Sequence, residues 1–135
     1  YANFQEIEEV DRILSNLVGK FLPNANRTIT ESDIGVITPY SQQRRVLIHR
    51  LSRFCGVSIG TPEAFQGSEK PIIIISTVRT NGQMGFLNDR RFNVAVTRAK
   101  CLLVIVGDID TLKKNVSWKE MIDFCERNGC IVMKR

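Results

Sequence analysis

The sequence predicts an α/β fold, with a parallel sheet covered by helices on both faces. Two observations carry this. The apolar runs Ile34–Ile37, Pro71–Val78 and Cys101–Val106 show no alternation of polar and apolar residues, as strands buried on both faces require. Segments with apolar residues at helical spacing fall between them, which indicates parallel strands joined by helical crossovers. Length agrees: 135 residues, 43% hydrophobic and 24% charged, suit one ordinary domain and exclude wholesale disorder, collagen-like sequence and a coiled coil. No apolar run is long enough to span a bilayer, and no signal-peptide pattern opens the chain, so a membrane segment is not expected. The sequence starts in mid-pattern on Tyr1, as a domain cut from a larger protein would.

The first segment carries Ile7, Val10, Leu14, Leu17, Val18 and Phe21 at helical spacing. Glu6, Glu8, Glu9 and Asp11 near its start suit the positive end of a helix dipole. Pro23 and the polar stretch to Asp33 predict a loop, and Ile34–Ile37 a short buried strand halted by Thr38-Pro39. A second helix is expected over Ser41–Phe54, with Val46, Leu47, Leu51 and Phe54 on its apolar side. Val57–Ile59 reads as a brief strand and Pro71–Val78 as a stronger one, rich in β-branched residues. Gly82–Asp89 reads as a loop, Arg90–Lys100 as a helix and Cys101–Val106 as the next strand. Ser117–Asn128 reads as a helix stopped by Gly129, with Cys130–Met133 as a last strand.

Nineteen Lys and Arg against fourteen Asp and Glu leave a net charge of +5, which permits phosphate-rich partners without establishing them. The four cysteines, Cys55, Cys101, Cys125 and Cys130, form no C-x-x-C pair, and His49 is the one histidine. A zinc cluster is therefore not expected. Cys101 and Cys130 each open an apolar run, where cysteine usually behaves as a small buried hydrophobe. Together these predict a reduced, intracellular protein.

Ligands of a parallel sheet gather at the carboxyl ends of its strands, which directs attention to the segments after Ile37, Ile59, Val78 and Val106. In Thr38-Pro39-Tyr40-Ser41-Gln42-Gln43, the ring of Tyr40 could stack on a planar base. The same residues also suit an ordinary strand-to-helix turn, with Pro39 bending the chain and Ser41 capping the helix. Thr61–Glu69 gathers two carboxylates, an amide and a hydroxyl, with Phe65 as its anchor and Gly67 as a turn. Glu69 could accept bonds from a ribose or order an arginine; a solvated loop is the alternative. Arg91 and Arg98 are seven apart, so one helix would place them on nearly the same face. Paired guanidiniums suit a polyphosphate, although a solvated basic face would look similar. No G-x-x-x-x-G-K-[ST] occurs, so another domain would have to hold most of any nucleotide's phosphates.

IGVITPYSQQ, TPEAFQGSEKPIIIISTVRTN and GFLNDRRFNVAVTRAKCLLVIVGD resemble, in this order, motifs IV, V and VI of superfamily 1 helicases. The resemblance is to the up-frameshift-type branch, is strongest from Ile34 to Asp108, and extends to the opening Asn3-x-x-Glu6. Phe92 and the WKEMIDFCERNG helix are similar to the Armitage-like group, whose members act in RNA-mediated silencing. The resemblance implies a RecA-like sheet, that is, a P-loop NTPase fold without its own phosphate loop, spanning 1–135 as the C-terminal half of a motor. It implies an ATP hydrolase that uses ATP with Mg2+, the magnesium ligands lying on an absent N-terminal RecA-like domain. It implies single-stranded RNA as partner and a cytoplasmic setting. The fragment alone would be inactive.

The resemblance also assigns roles. Tyr40 matches an adenine-stacking residue. Glu69, with Gln66, matches the motif V residues near the nucleotide, and Arg91 is a second phosphate-binding candidate or a partner for Glu69. Arg98 matches the motif VI arginine expected to act as a finger on the γ-phosphate, an effect of roughly 10³–10⁵ in rate. Thr38, Thr61 and Arg79 match positions near the strand-binding face, which contacts phosphates and sugars rather than base edges. GFLNDRRFNVA is one residue shorter before the arginine pair than the usual family spelling, which leaves the register of Arg90 and Arg91 open. A DNA helicase and a non-hydrolysing RecA-like interaction module remain the alternatives. A metal-dependent nuclease lacks the residues: Asp108 and Asp110 more readily cap the short helix that follows.

Overall fold

The computed structural model describes residues 3–23, 26–78 and 89–132, with main chain alone at 89–92. Four parallel strands form the main sheet in the order β4-β3-β5-β6. They are β3 (Ile34–Ile37), β4 (Ser58–Gly60), β5 (Lys70–Ser76) and β6 (Ala99–Val106). A two-residue antiparallel ladder, β1 (Phe21–Leu22) with β2 (Arg27–Thr28), lies apart from it. The helices are α1 (Phe4–Leu17), α2 (Ser41–Arg50), α3 (Asp89–Val96), α4 (Ile109–Leu112) and α5 (Val116–Arg127). This is the predicted α/β sheet of RecA-like type, with helices on both faces.

Alternation along the strands decides which helix covers which face. Ile34 and Val36 of β3 and Ile72 and Ile74 of β5 share one core with Ile7, Val10 and Leu14 of α1 and Leu47 of α2. Ile37, Ile73 and Ile75 face the other way, against Ala95, Leu112, Trp118 and Ile122 from α3, α4 and α5. The four isoleucines of β5 are each 0% exposed, and such burial is worth about 1.5–3 kcal/mol per side chain. Arg50 reaches Glu8 at 2.9 Å and Arg53 reaches Asp11 at 2.8 Å, tying the end of α2 to α1 across the surface.

Helix ends follow the expected chemistry at several places. Asn3 caps α1, its Oδ1 accepting from the Glu6 amide at 3.1 Å. Asp108 caps α4 and Asn115 caps α5 in the same manner. Gly129 adopts φ +66° and donates to the Glu126 carbonyl, while Cys130 donates to Cys125 at 2.9 Å. These are the paired bonds of a left-handed helix stop.

Several expectations are corrected. The predicted loop after Pro23 contains β2 and a 3-10 turn at Glu31–Asp33, and Phe21 leaves the first helix for β1, where it is exposed. The second helix ends at Arg50 rather than Phe54, and Tyr40 rather than Ser41 stands at its cap. β6 begins at Ala99, two residues early, so the preceding helix stops at Val96. Cys130–Val132 form no strand. Cys101 and Cys130 are exposed, because β6 is an edge strand and Cys130 follows the end of α5; all four cysteines are free thiols.

Candidate functional site

Because the strands are parallel, the candidate residues sort onto two opposite edges of the sheet. Thr38 and Tyr40 follow β3, and Thr61 follows β4, all at the carboxyl edge. The chain then crosses the second face of the sheet from Thr61 to Glu69 without a full helix. A 3-10 turn, Pro62–Phe65, begins this crossing, and the buried ring of Phe65 covers Gly35 of β3. Gly67, at φ +77°, turns the chain back, and Ser68 donates to the Phe65 carbonyl at 3.0 Å. Gln66 and Glu69 therefore emerge, exposed, near the amino edge where β5 begins.

Arg98 joins that group. Lys70 pairs with Ala99 in the sheet, and the Lys70 amide donates to the Arg98 carbonyl at 3.0 Å. The guanidinium lies against the same segment, with Nη1 3.5 Å from the Ser68 carbonyl and Nη2 donating to Thr97 Oγ1 at 3.0 Å. Its Nε is buried with no hydrogen-bond partner among the described residues. An orphaned guanidinium donor beside an open loop is suited to an anionic oxygen, which would complete its bonding. Arg98 is not on α3: Thr97 Oγ1 closes the helix by donating to the Asn93 carbonyl at 2.7 Å, and Arg98 sits in the turn before β6. The same-helix-face relation expected between Arg91 and Arg98 does not hold. The side chain of Arg91, and all of Arg79, lie outside the described residues.

Tyr40 is separated from this cluster. Ile37 is level with Ile75, and Lys70 with Ala99, so about five strand residues intervene, or roughly 17 Å. Tyr40 as a whole residue is only 5% exposed. Thr38 is fully enclosed as well; its amide donates to the Gly60 carbonyl at 3.0 Å, and its Oγ1 has no partner among the described residues. Thr61 is half-buried.

The carboxyl edge holds a buried polar network that the sequence reading did not single out. Gln43 Oε1 accepts from the Asn3 amide at 2.7 Å, while its Nε2 donates to the Asn3 carbonyl at 3.3 Å and to Ser76 Oγ at 3.1 Å. Ser76 Oγ donates to Glu6 Oε1 at 2.7 Å, and the Val78 amide donates to the same oxygen at 2.9 Å. Burial pushes the Glu6 carboxyl up to about 7, against the lowering effect of its bonds from Ser76, Val78 and Thr77; the charge of Asp108 raises it further. The Asn3-x-x-Glu6 spacing was the available signal. In sequence it enters only as part of the family resemblance, while the partners from α2 and β5 are remote along the chain.

Residues 1–110 match a protein family described as an AAA domain. The chain is 37% identical over 145 aligned residues to the Danio rerio protein bearing the name mov-10-B.1, covering 91% of this chain and 14% of that one. It is 34% identical over 141 residues to Helicase SEN1 of Saccharomyces cerevisiae, covering 97% of this chain and 6% of SEN1. The Regulator of nonsense transcripts 1 homolog of Arabidopsis thaliana is 36% identical over 143 residues, covering 98% of this chain and 11% of its own length. The chain belongs to the up-frameshift-type superfamily 1 helicases. Within that family it is the C-terminal helicase domain, and it spans 6–14% of the length of these relatives. A crystal structure of Arterivirus nonstructural protein 10 (helicase) overlays at a TM-score of 0.42 and 22% identity, over 73% of this helicase domain and 24% of that chain. Among the described residues no helix is long and apolar enough to cross a membrane.

Proposed function

We propose that this helicase domain is one half of an ATP-driven motor acting on single-stranded RNA, with its two sheet edges given to two ligands. The amino edge, with Arg98, Gln66 and Glu69, faces a nucleoside triphosphate held by the partner RecA-like domain. The carboxyl edge, with Thr61 and the ends of β3 and β5, belongs to the strand-binding face.

The observation that carries this reading is the buried, unpartnered Nε of Arg98 beside Ser68. Its spare donor fits a phosphate oxygen, and a guanidinium placed against the γ-phosphate stabilises the charge that develops as the phosphoryl group is transferred. The resemblance gives the phosphate loop and the magnesium-binding acid to the partner domain. Mg2+ would there neutralise the triphosphate, while Arg98 approaches from this side. Tyr40 is enclosed and stands at the other edge, so we leave the adenine to the partner domain.

RNA is favoured over DNA by the name of the Arabidopsis relative, which is a regulator of nonsense transcripts. The test is ATP hydrolysis by the full-length protein with single-stranded RNA or DNA of matched sequence and length. The reading expects RNA to stimulate hydrolysis and DNA to do so less. Equal or greater stimulation by DNA would move the substrate to DNA, and hydrolysis unaffected by either would remove the motor.

A further inference from the structure

The structure builds a buried latch around the opening Asn3-x-x-Glu6 pattern. Three elements meet there: the start of α1, the first turn of α2 and the end of β5. Gln43, fully buried, grips the main chain of Asn3 through both its amide oxygen and its amide nitrogen, and also reaches Ser76. Glu6 Oε1 takes the Ser76 hydroxyl and the Val78 amide, while Asn3 Nδ2 donates to the Val78 carbonyl at 3.0 Å. Both main-chain polar groups of Val78 are thus held by side chains from the start of α1.

Val78 is where such a latch has work to do. Its φ is +73°, in the left-handed region that a β-branched residue rarely adopts. Such a conformation persists only where surrounding contacts over-determine it, and strained residues of this kind concentrate at binding sites. Here the strain falls two residues past Ser76, the end of β5, which lies beside Thr38 since Ile37 and Ile75 are level in the sheet. A packed apolar cluster would have served stability alone; a fully connected polar network also fixes one orientation of the chain.

We propose that Glu6 and Gln43 are positioning residues for nucleic-acid binding, holding the Thr77–Val78 main chain in the strained turn that shapes the strand-binding edge. This rests on the assignment of the carboxyl edge to the nucleic acid. Neither side chain touches the strand; each acts through Ser76 and the Val78 main chain. The charged form of Glu6 accepts from its donors together, whereas a protonated carboxyl surrenders one oxygen as a donor. Asn3 on α1, Gln43 on α2 and Ser76 on β5 face it as uncharged groups, and Asp108, ahead of α4, is the charged group acting on it. The turn is accordingly held best above the titration of Glu6.

The experiment is fluorescence anisotropy of a labelled oligouridylate with the full-length protein, across a unit either side of about pH 7. The wild type is expected to bind more tightly as the pH rises. Glu6→Gln and Gln43→Ala are expected to weaken binding about tenfold, the size of coupling that residues away from a ligand commonly carry, and Glu6→Gln to flatten the pH profile. Val78→Gly guards against simple misfolding. It relieves the strain but gives up the side chain of a residue only 4% exposed and loosens the unfolded chain. It is therefore measured well below its own melting temperature, where the intact fold should still bind the strand more weakly because the turn is no longer confined. Wild-type affinity in Val78→Gly, or an unchanged pH profile in Glu6→Gln, would overturn the proposal. If the wild type itself failed to bind the oligonucleotide at any pH, the assignment of the carboxyl edge would fall instead.

Discussion

Phe65 occupies the space in which a side chain on Gly35 would begin. A Cβ built on Gly35 would stand 2.7 Å from Phe65 Cε1 and 3.0 Å from the Ile73 side chain. This contact lets the Thr61–Glu69 segment cross the sheet closely and deliver Gln66 and Glu69 to the edge that carries Arg98. Gly35→Ala is therefore expected to destabilise by about 1–3 kcal/mol through overpacking, and Phe65→Ala by about 3–5 kcal/mol through the cavity it leaves. Denaturant titration measures both. In the full-length protein both should also reduce ATP hydrolysis, since the crossing positions the loop beside Arg98.

Gly67 offers a contrast, because among the described residues nothing lies within 4 Å of a Cβ built there, while its φ of +77° opposes a side chain. Gly67→Ala should cost about 1 kcal/mol, and Gly67→Asn less, since Asn tolerates the left-handed region. If Gly67→Ala proved as damaging as Gly35→Ala, the loop would be more closely packed than the structure shows.

Asp33 and Glu6 pull the stability profile in opposite directions with pH. Arg27 donates to Asp33 at 2.6 Å, and with the Thr30 bonds this holds the Asp33 carboxyl well below the usual carboxylate range. Its contribution is present above that range and is lost as the pH falls through the lowered value. Glu6 is raised from 4.5 to about 7, so the folded chain binds the extra proton and stability declines as pH rises between those values. The decline amounts to about 3 kcal/mol at most. Unfolding followed against pH should show that decline in the wild type and a much flatter line in Glu6→Gln.

How much of this was legible in the sequence depends on range. The runs Ile34–Ile37 and Ile72–Ile75 are buried on both faces, and that requirement writes itself into consecutive apolar residues. The stop at Gly129 and the cap at Asp108 are local chemistry and were equally readable. Arg98 was identified by its motif, but its placement was not: one side-chain bond from Thr97 ends α3 early and moves the arginine into a turn. Tyr40 reads in sequence as a ring free to stack on a base or as part of an ordinary turn, and tertiary packing, which the sequence does not display, encloses it. The Gln43 latch was invisible for the same reason, since Asn3, Gln43 and Ser76 lie 40 and 33 residues apart along the chain.

The division of the two edges between ATP and nucleic acid is tested most directly at Arg98. In the full-length protein, Arg98→Ala should lower RNA-stimulated ATP hydrolysis by roughly 10³-fold or more, while affinity for single-stranded RNA without nucleotide stays within about twofold. Arg98→Lys should recover little, because an ammonium lacks the planar fork. Hydrolysis near the wild-type rate in Arg98→Ala, or RNA affinity lost together with hydrolysis, would contradict the account.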